Sequence, residues 1–238
     1  MFPANLITRP DRPAEGFYAS EVESPSRLPV QTFLPTGYEP EYAYPLIVLF
    51  HGRGGSERQV VRLAPRLSRR NYIAIALRGP RLVVRRGNGR VGYGWGTDHR
   101  TDAFTEEYVF RAIELTAQRY HIHPARVFLA GVCEGAALAY RLGLSFPEQF
   151  AGVVALNGEI PSGGPLLRLS AVRRLQVFIG HGIANAVIPL ALARRNYQLL
   201  YTAGLPVQLH TYPTTHRLHP DMLRDANRWI MEWITGER

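Results

Sequence analysis

The chain has 238 residues, 46% of them hydrophobic, and a formal net charge of +9. That length and apolar share suit one large α/β domain of ordinary globular composition. Its single cysteine excludes an intrachain disulfide, and no apolar run reaches the length that spans a membrane.

There is no lysine, so all 28 basic residues are arginine. Arginine forks onto phosphate, which would suit a nucleic-acid partner. No nucleic-acid-binding motif accompanies the charge, however, and a coding bias toward arginine explains it more simply, so no such partner is expected. The densest group, Arg78, Arg81, Arg85, Arg86 and Arg90, still fits an anionic substrate or an acidic partner. The lone thiol fits a reducing compartment, and Met1 to Arg12 contains no apolar core of a secretory signal, so a cytoplasmic location is expected.

Residues 1–16, rich in Pro and charge, are expected to wrap the surface of a single domain spanning 1–238. Phe17 to Val22 and Leu28 to Leu34 read as two strands of an antiparallel start, split by the turn cluster Glu23-Ser24-Pro25-Ser26. Leu46 to Phe50 is a continuous apolar run, the mark of a strand buried on both faces. It runs into His51-Gly52-Arg53-Gly54-Gly55, then a helical spacing over Gln59 to Arg69, then a second buried strand, Tyr72 to Leu77. Strand, glycine loop, helix and strand in that order predict a mostly parallel sheet with helices on both faces.

Gly79 to His99, rich in Gly and Arg, reads as a long functional loop. Thr105 to Tyr120 is a predicted helix and Arg126 to Ala130 a predicted strand. Beyond them lie a buried helix (Ala136 to Leu144), strands at Phe150 to Leu156 and Leu175 to Ile179, and a helix at Pro189 to Ala203. Asn157 to Leu169 reads as loop, Val207 to Tyr212 as the last strand, and Asp221 to Ile234 as a terminal helix.

The chemistry centres on Gly131-Val132-Cys133-Glu134-Gly135, set between a strand and a helix. That is the frame of a nucleophile elbow, whose flanking glycines leave room for a turn that aims the middle residue above the sheet. A buried structural cysteine in a plain turn is the blander reading of this stretch alone. A nucleophile needs a base, a group to orient the base, and donors for an oxyanion, and in parallel sheets these sit past the carboxyl ends of strands. His216 follows the last strand, Asn185 follows the strand before it, and the order nucleophile, orienter, base is that of α/β-hydrolases. The main-chain N–H groups of Arg53 and Glu134 are the candidate oxyanion donors. Gly54, Tyr93 and Trp95 are candidate substrate contacts, with packing nearly as good an account of the two aromatics.

His51-Gly52-x-Gly54-Gly55, Gly131-x-Cys133-x-Gly135, His181-Gly182-x-x-Asn185-x-Val187-Ile188-Pro189 and Tyr212-Pro213-x-x-His216 stand in consistent order over roughly residues 45 to 235. With these four motifs the chain resembles the phospholipase/carboxylesterase group of the α/β-hydrolase superfamily, which includes acyl-protein thioesterase-like enzymes. The cysteine at the elbow is also similar to that of dienelactone hydrolase, a thiol member of the superfamily. The resemblance implies an α/β-hydrolase fold, no cofactor, no metal, and hydrolysis of a small-molecule carboxylic ester or thioester. It also implies serine where Cys133 stands, aspartate where Asn185 stands, and glutamine where Glu134 stands.

These departures leave two readings open. In one, Cys133 ionises ahead of attack beside a protonated His216, so that the third residue need only orient the ring, which an amide can do. In the other, the site has decayed into a pseudoenzyme that binds a small molecule or protein. His121 with His123, and His216 with His219, have spacings a metal could use, but no Cys or carboxylate completes a set, and none is expected to bind. His51 and His181 read as structural, and Trp229 with Trp233 as core or as the face of a homodimer.

Overall fold

The structure, a computed structural model, describes residues 14–22, 28–84, 89, 91–96, 102–161 and 174–236. Among the described residues ten strands form, eight of them in one sheet. In chain order they are β1 (Gly16–Val22), β2 (Leu28–Leu34), β3 (Tyr44–Phe50), β4 (Ile73–Leu77), β5 (Arg81–Val84), β6 (Val91–Gly94), β7 (Ile122–Val132), β8 (Gly152–Leu156), β9 (Gln176–Gly182) and β10 (Val207–Tyr212). The large sheet runs β1-β2-β4-β3-β7-β8-β9-β10. The β1–β2 and β2–β4 pairs are antiparallel, and every later pair is parallel. This is the α/β-hydrolase fold expected from the sequence.

Alternation along β3 shows how the sheet divides the core. Leu46, Val48 and Phe50 face one apolar layer, and Ile47 and Leu49 face the other. The first layer packs against α3 (Asp102–Arg119), α4 (Glu134–Ser145) and α5 (Leu190–Thr202), through residues such as Val109, Ala139 and Leu200. The second packs against the segment after β3 and against α6 (Pro220–Thr235), through Leu67, Leu223 and Ile230. A strand buried on both faces has no polar side to show, which is why β3 and β4 read as unbroken apolar runs.

Several boundaries differ from the sequence expectation for local reasons. The helix expected over 59–69 breaks into α1 (Glu57–Val60), a 3-10 turn (Val61–Leu63) and α2 (Ala64–Leu67), because Pro65 lacks the N–H that a continuous helix would need. The loop expected over 79–99 contains the hairpin β5–β6, whose Arg81 pairs with Gly94 and Val84 with Val91. Strand β7 begins at Ile122, earlier than Arg126, and pairs first with Tyr44 of β3. The terminal helix α6 starts on Pro220, capped by the His219 side chain accepting from Asp221 N–H, and ends at Gly236 in the left-handed region. The surface wrap expected of residues 1–13, the turn at 23–26, most of the loop after Ile160, and Arg85, Arg86 and Arg90 lie outside the described residues.

Trp229 is buried against Phe128 and Phe178, and Trp233 stands edge-on to Phe128. Both indoles are therefore part of the core between α6 and the sheet. Among the described residues, no helix is long and apolar enough to cross a membrane.

Candidate active site

Four strands, β3, β7, β9 and β10, release their chain into loops at the same edge of the sheet, and the candidate residues sit on those loops. Cys133 stands at the junction of β7 and α4 with φ 55° and ψ −119°. A non-glycine residue in that region is strained, and a turn this sharp survives only where its surroundings enforce it. The enforcement is visible in the glycines. A Cβ on Gly131 would lie 2.1 Å from the carbonyl oxygen of Gly135, and a Cβ on Gly135 would lie 2.3 Å from that of Phe50. The elbow thus presses directly onto the end of β3.

That contact brings the His51–Gly55 loop beside the thiol. The main-chain N–H groups of Arg53 and Glu134, the two expected oxyanion donors, lie near enough to the Cys133 sulfur to pull the thiol pKa down. The Arg53 side chain itself points out to solvent, 69% exposed, with Nη1 3.9 Å from Glu134 Oε1. The loop is held from behind by His51, whose Nδ1 donates to the carbonyl of Gly52 at 2.9 Å while its Nε2 accepts the N–H of Gly79 at 2.9 Å. These partners require a neutral ring with one proton, on Nδ1.

On the neighbouring loops, Asn185 Oδ1 lies 3.1 Å from His216 Nδ1. The same oxygen accepts the N–H groups of Val187 at 3.1 Å and Ile188 at 3.0 Å. Two main-chain donors mark this atom as the amide oxygen, so the ring proton of His216 sits on Nδ1 and its Nε2 is bare. Asn185 is only 4% exposed.

Residues 39–234 match the Phospholipase/Carboxylesterase family model. This chain belongs to the phospholipase/carboxylesterase family. It is 30% identical over 125 residues to acyl-protein thioesterase 1 of Mycosarcoma maydis, covering 50% of this chain and 52% of that protein. It is 34% identical over 125 residues to the putative esterase NocK of Nocardia uniformis subsp. tsuyamanensis, covering 50% and 34% respectively. The matched part is thus about half the length of one relative and a third of the other. Among solved structures, a carboxylesterase from Mesorhizobium loti aligns with a TM-score of 0.71 and 18% identity, over 90% of this chain and 98% of its own. The Bacillus cereus carboxylesterase aligns with a TM-score of 0.68 and 19% identity, over 92% and 94%. At such identities the likeness is one of fold.

Burial dominates the electrostatics of the two candidate groups, Cys133 and His216. Burial pushes the Cys133 thiol up; the Glu134 and Arg53 N–H groups pull it down, and the carboxylates of Glu134 and Glu159 push it further up. Burial also lowers the His216 imidazole, with His181 adding to the effect. Both directions favour a neutral thiol and a neutral ring. A thiolate formed ahead of attack beside a protonated His216 runs against both directions. The physical reason is that burial and nearby carboxylates penalise the anion.

Two of the expected substrate contacts are placed differently. Trp95 is 2% exposed, and its indole N–H donates to the His51 carbonyl at 2.9 Å while its ring packs on Phe50 and His51. It props the His51–Gly55 loop and does not line an open cleft. Gly54 is buried and spends its N–H on the carbonyl of Tyr93 at 2.8 Å, so it acts by binding the hairpin to the loop. Tyr93 remains half-buried at this position, under the guanidinium of Arg78 at 4.5 Å from its ring centroid. Among the described residues no group of His, Cys, Asp and Glu could hold a metal ion.

Sequence reasoning missed Asn157. It follows β8 with φ 51°, is fully buried, and its Oδ1 accepts the N–H of Gly182 at 2.9 Å. The Asn157-Gly158 pair is an ordinary turn signal, and nothing in the local pattern shows that its amide reaches the orienting residue.

Proposed function

We propose that the protein hydrolyses carboxylic ester or thioester bonds, with Cys133 as nucleophile, His216 as base and then acid, and Asn185 as orienter. The observation that carries this reading is the sharp elbow turn at Cys133, with φ 55°, on the sheet edge where Asn185 Oδ1 lies 3.1 Å from His216 Nδ1. The Arg53 and Glu134 N–H groups, which pull the thiol pKa down, suit a charge that appears only during reaction. The names of the relatives, a thioesterase and an esterase, bracket the same substrate class.

The step begins from a neutral pair. His216 Nε2 takes the thiol proton as the sulfur attacks the carbonyl carbon, and the carbonyl electron pair moves onto the oxygen, held by the two N–H groups. Collapse expels the alcohol or thiol, which leaves with the proton from His216, and the acyl group stays on Cys133 as a thioester. Water then attacks that thioester, giving its proton to His216, and the second collapse releases the acid and returns the proton to the sulfur. Asn185 Oδ1 keeps Nδ1 protonated throughout, so that Nε2 is the atom that exchanges. A cytoplasmic setting, with the single thiol kept reduced, belongs to the same proposal.

The raised thiol also favours a second reading, binding without turnover in the same cleft. A p-nitrophenyl ester series and a thioester, assayed beside Cys133→Ala, separate the two. Turnover lost in Cys133→Ala supports the hydrolase. Binding of the same esters with turnover no faster than in Cys133→Ala supports the binder.

A further inference from the structure

Asn157 stands between three loops that carry the candidate site. Its Oδ1 accepts from Gly182 N–H at 2.9 Å, and its Nδ2 donates to the carbonyl of Arg217 at 3.1 Å, next to His216. A main-chain donor on one side and a main-chain acceptor on the other allow only one orientation of this amide. Its oxygen consequently faces Asn185, whose Nδ2 lies 3.4 Å away. The same Nδ2 lies 3.4 Å from His181 Nε2, whose proton is engaged by the Ile188 carbonyl at 2.8 Å.

The chain of constraint can be followed atom by atom. Gly182 N–H and Arg217 C=O fix Asn157. Asn157 Oδ1 can only accept, so it requires a donor at the near atom of residue 185. That leaves the oxygen of residue 185 pointing at Val187, Ile188 and His216. A carboxylate at 185 would instead set a second oxygen against Asn157 Oδ1, with lone pairs facing and both groups buried. His181 could offset this in part by sharing its Nε2 proton.

We propose that Asn157 is a positioning residue that selects an amide over a carboxylate at position 185 and, through that amide, sets the His216 tautomer. The departure at 185 is then one half of a matched pair, and it is not a sign of decay. This rests on the proposed hydrolysis for its effect on rate, while its effect on the ring can be read without turnover.

The test is a double-mutant cycle of Asn185→Asp, Asn157→Gly and the pair, glycine being chosen because it tolerates the positive φ at 157. The expected result is that Asn185→Asp lowers kcat/KM about tenfold or more when residue 157 is left unchanged, with KM nearly constant. In the Asn157→Gly background the same substitution should cost at least about threefold less. Imidazole nitrogen NMR of His216, recorded also in Cys133→Ala, should show the Nδ1–H tautomer in the parent and a mixture in Asn157→Gly. Asn157→Ser serves as a second background if the glycine variant does not fold. Additive effects, or a gain in turnover on Asn185→Asp alone, overturn the proposal. A coupled tautomer without Cys133-dependent turnover in any variant upholds the pair and removes the hydrolase reading instead.

Discussion

The carboxylate of Glu134 accepts the main-chain N–H of Trp95 at 3.2 Å, tying the residue after Cys133 to the end of the β5–β6 hairpin. The side chain whose charge pushes the thiol up is thus also a brace, turned toward the hairpin. Glutamine at 134 would keep an oxygen for Trp95 and remove the charge. Glu134→Gln should lower the pH at which Cys133 ionises and speed its alkylation by iodoacetamide near neutral pH several-fold. A rate-against-pH curve identical to that of the parent would show that the carboxylate's field does not reach the sulfur.

The pairing of thiol with amide makes a second prediction. A serine triad loses a factor of about ten thousand when its carboxylate is replaced by an amide that holds the ring in the wrong tautomer; Asn185 Oδ1 faces His216 Nδ1 and so holds the right one, but it still offers no counter-charge to the imidazolium formed during attack. Cys133→Ser keeps Asn185 and should therefore turn over esters hardly better than Cys133→Ala. A thiol is more acidic than an alcohol and demands less of the base. Steady-state kinetics on one activated ester, across the three proteins, would decide it; a serine variant as fast as the parent would show that the thiol offers no advantage beside Asn185.

Three histidines near the site, His51, His181 and His216, are held below their ordinary value of 6.5, in each case chiefly by burial. A histidine with a lowered native pKa binds fewer protons folded than unfolded, so unfolding takes up protons. Its contribution to stability is complete above the unfolded value and drains away as pH falls through the native one. Urea unfolding followed from about pH 8 to about pH 5 should show a plateau above roughly 7 and a decline below it. His51→Gln would leave Gly79 N–H a weaker partner but remove one titrating ring, and so should shallow the decline. Acid stability equal to that at pH 8 would contradict the buried neutral rings.

What the sequence showed depended on how local the signal was. The elbow is local: two glycines flanking Cys133 between an apolar strand and an alanine-rich helix, and the structure forms the turn there with φ 55°. His216 and Asn185 were legible from strand ends, because parallel strands deliver their following loops to one edge. The β5–β6 hairpin was not legible, since Leu82, Val84 and Val91 are exposed and give no buried face to mark a strand. Trp95 looked like a binding aromatic because sequence does not say which way a loop residue turns, and its indole turned inward to His51. Asn157 was invisible for the deeper reason that its role lies in contacts with residues 182, 185 and 217, far along the chain.

The hairpin's anchor gives the last prediction. Glu57 is fully buried, and Arg78 grips it through Nε to Oε2 at 2.8 Å and Nη2 to Oε1 at 2.5 Å. Burial alone would raise the Glu57 carboxyl, yet the Arg78 contacts outweigh it and hold the group below its ordinary value. The same guanidinium lies over Tyr93, so one cation joins the start of α1, the end of β4 and the strand β6 that bounds the His51–Gly55 loop. Removing one partner of a buried pair leaves the other charge without compensation, at a cost of about 3–5 kcal/mol. Arg78 is 24% exposed and Arg58 Nε stands 3.8 Å from the same carboxylate, so the lower end of that range applies. Arg78→Met should therefore destabilise the protein by about 3 kcal/mol, and adding Glu57→Gln should return a large part of the loss. Denaturant unfolding of both variants measures this. If Arg78→Met unfolds at the parent's midpoint, the carboxylate has found another partner, and the pair does not hold the hairpin in place.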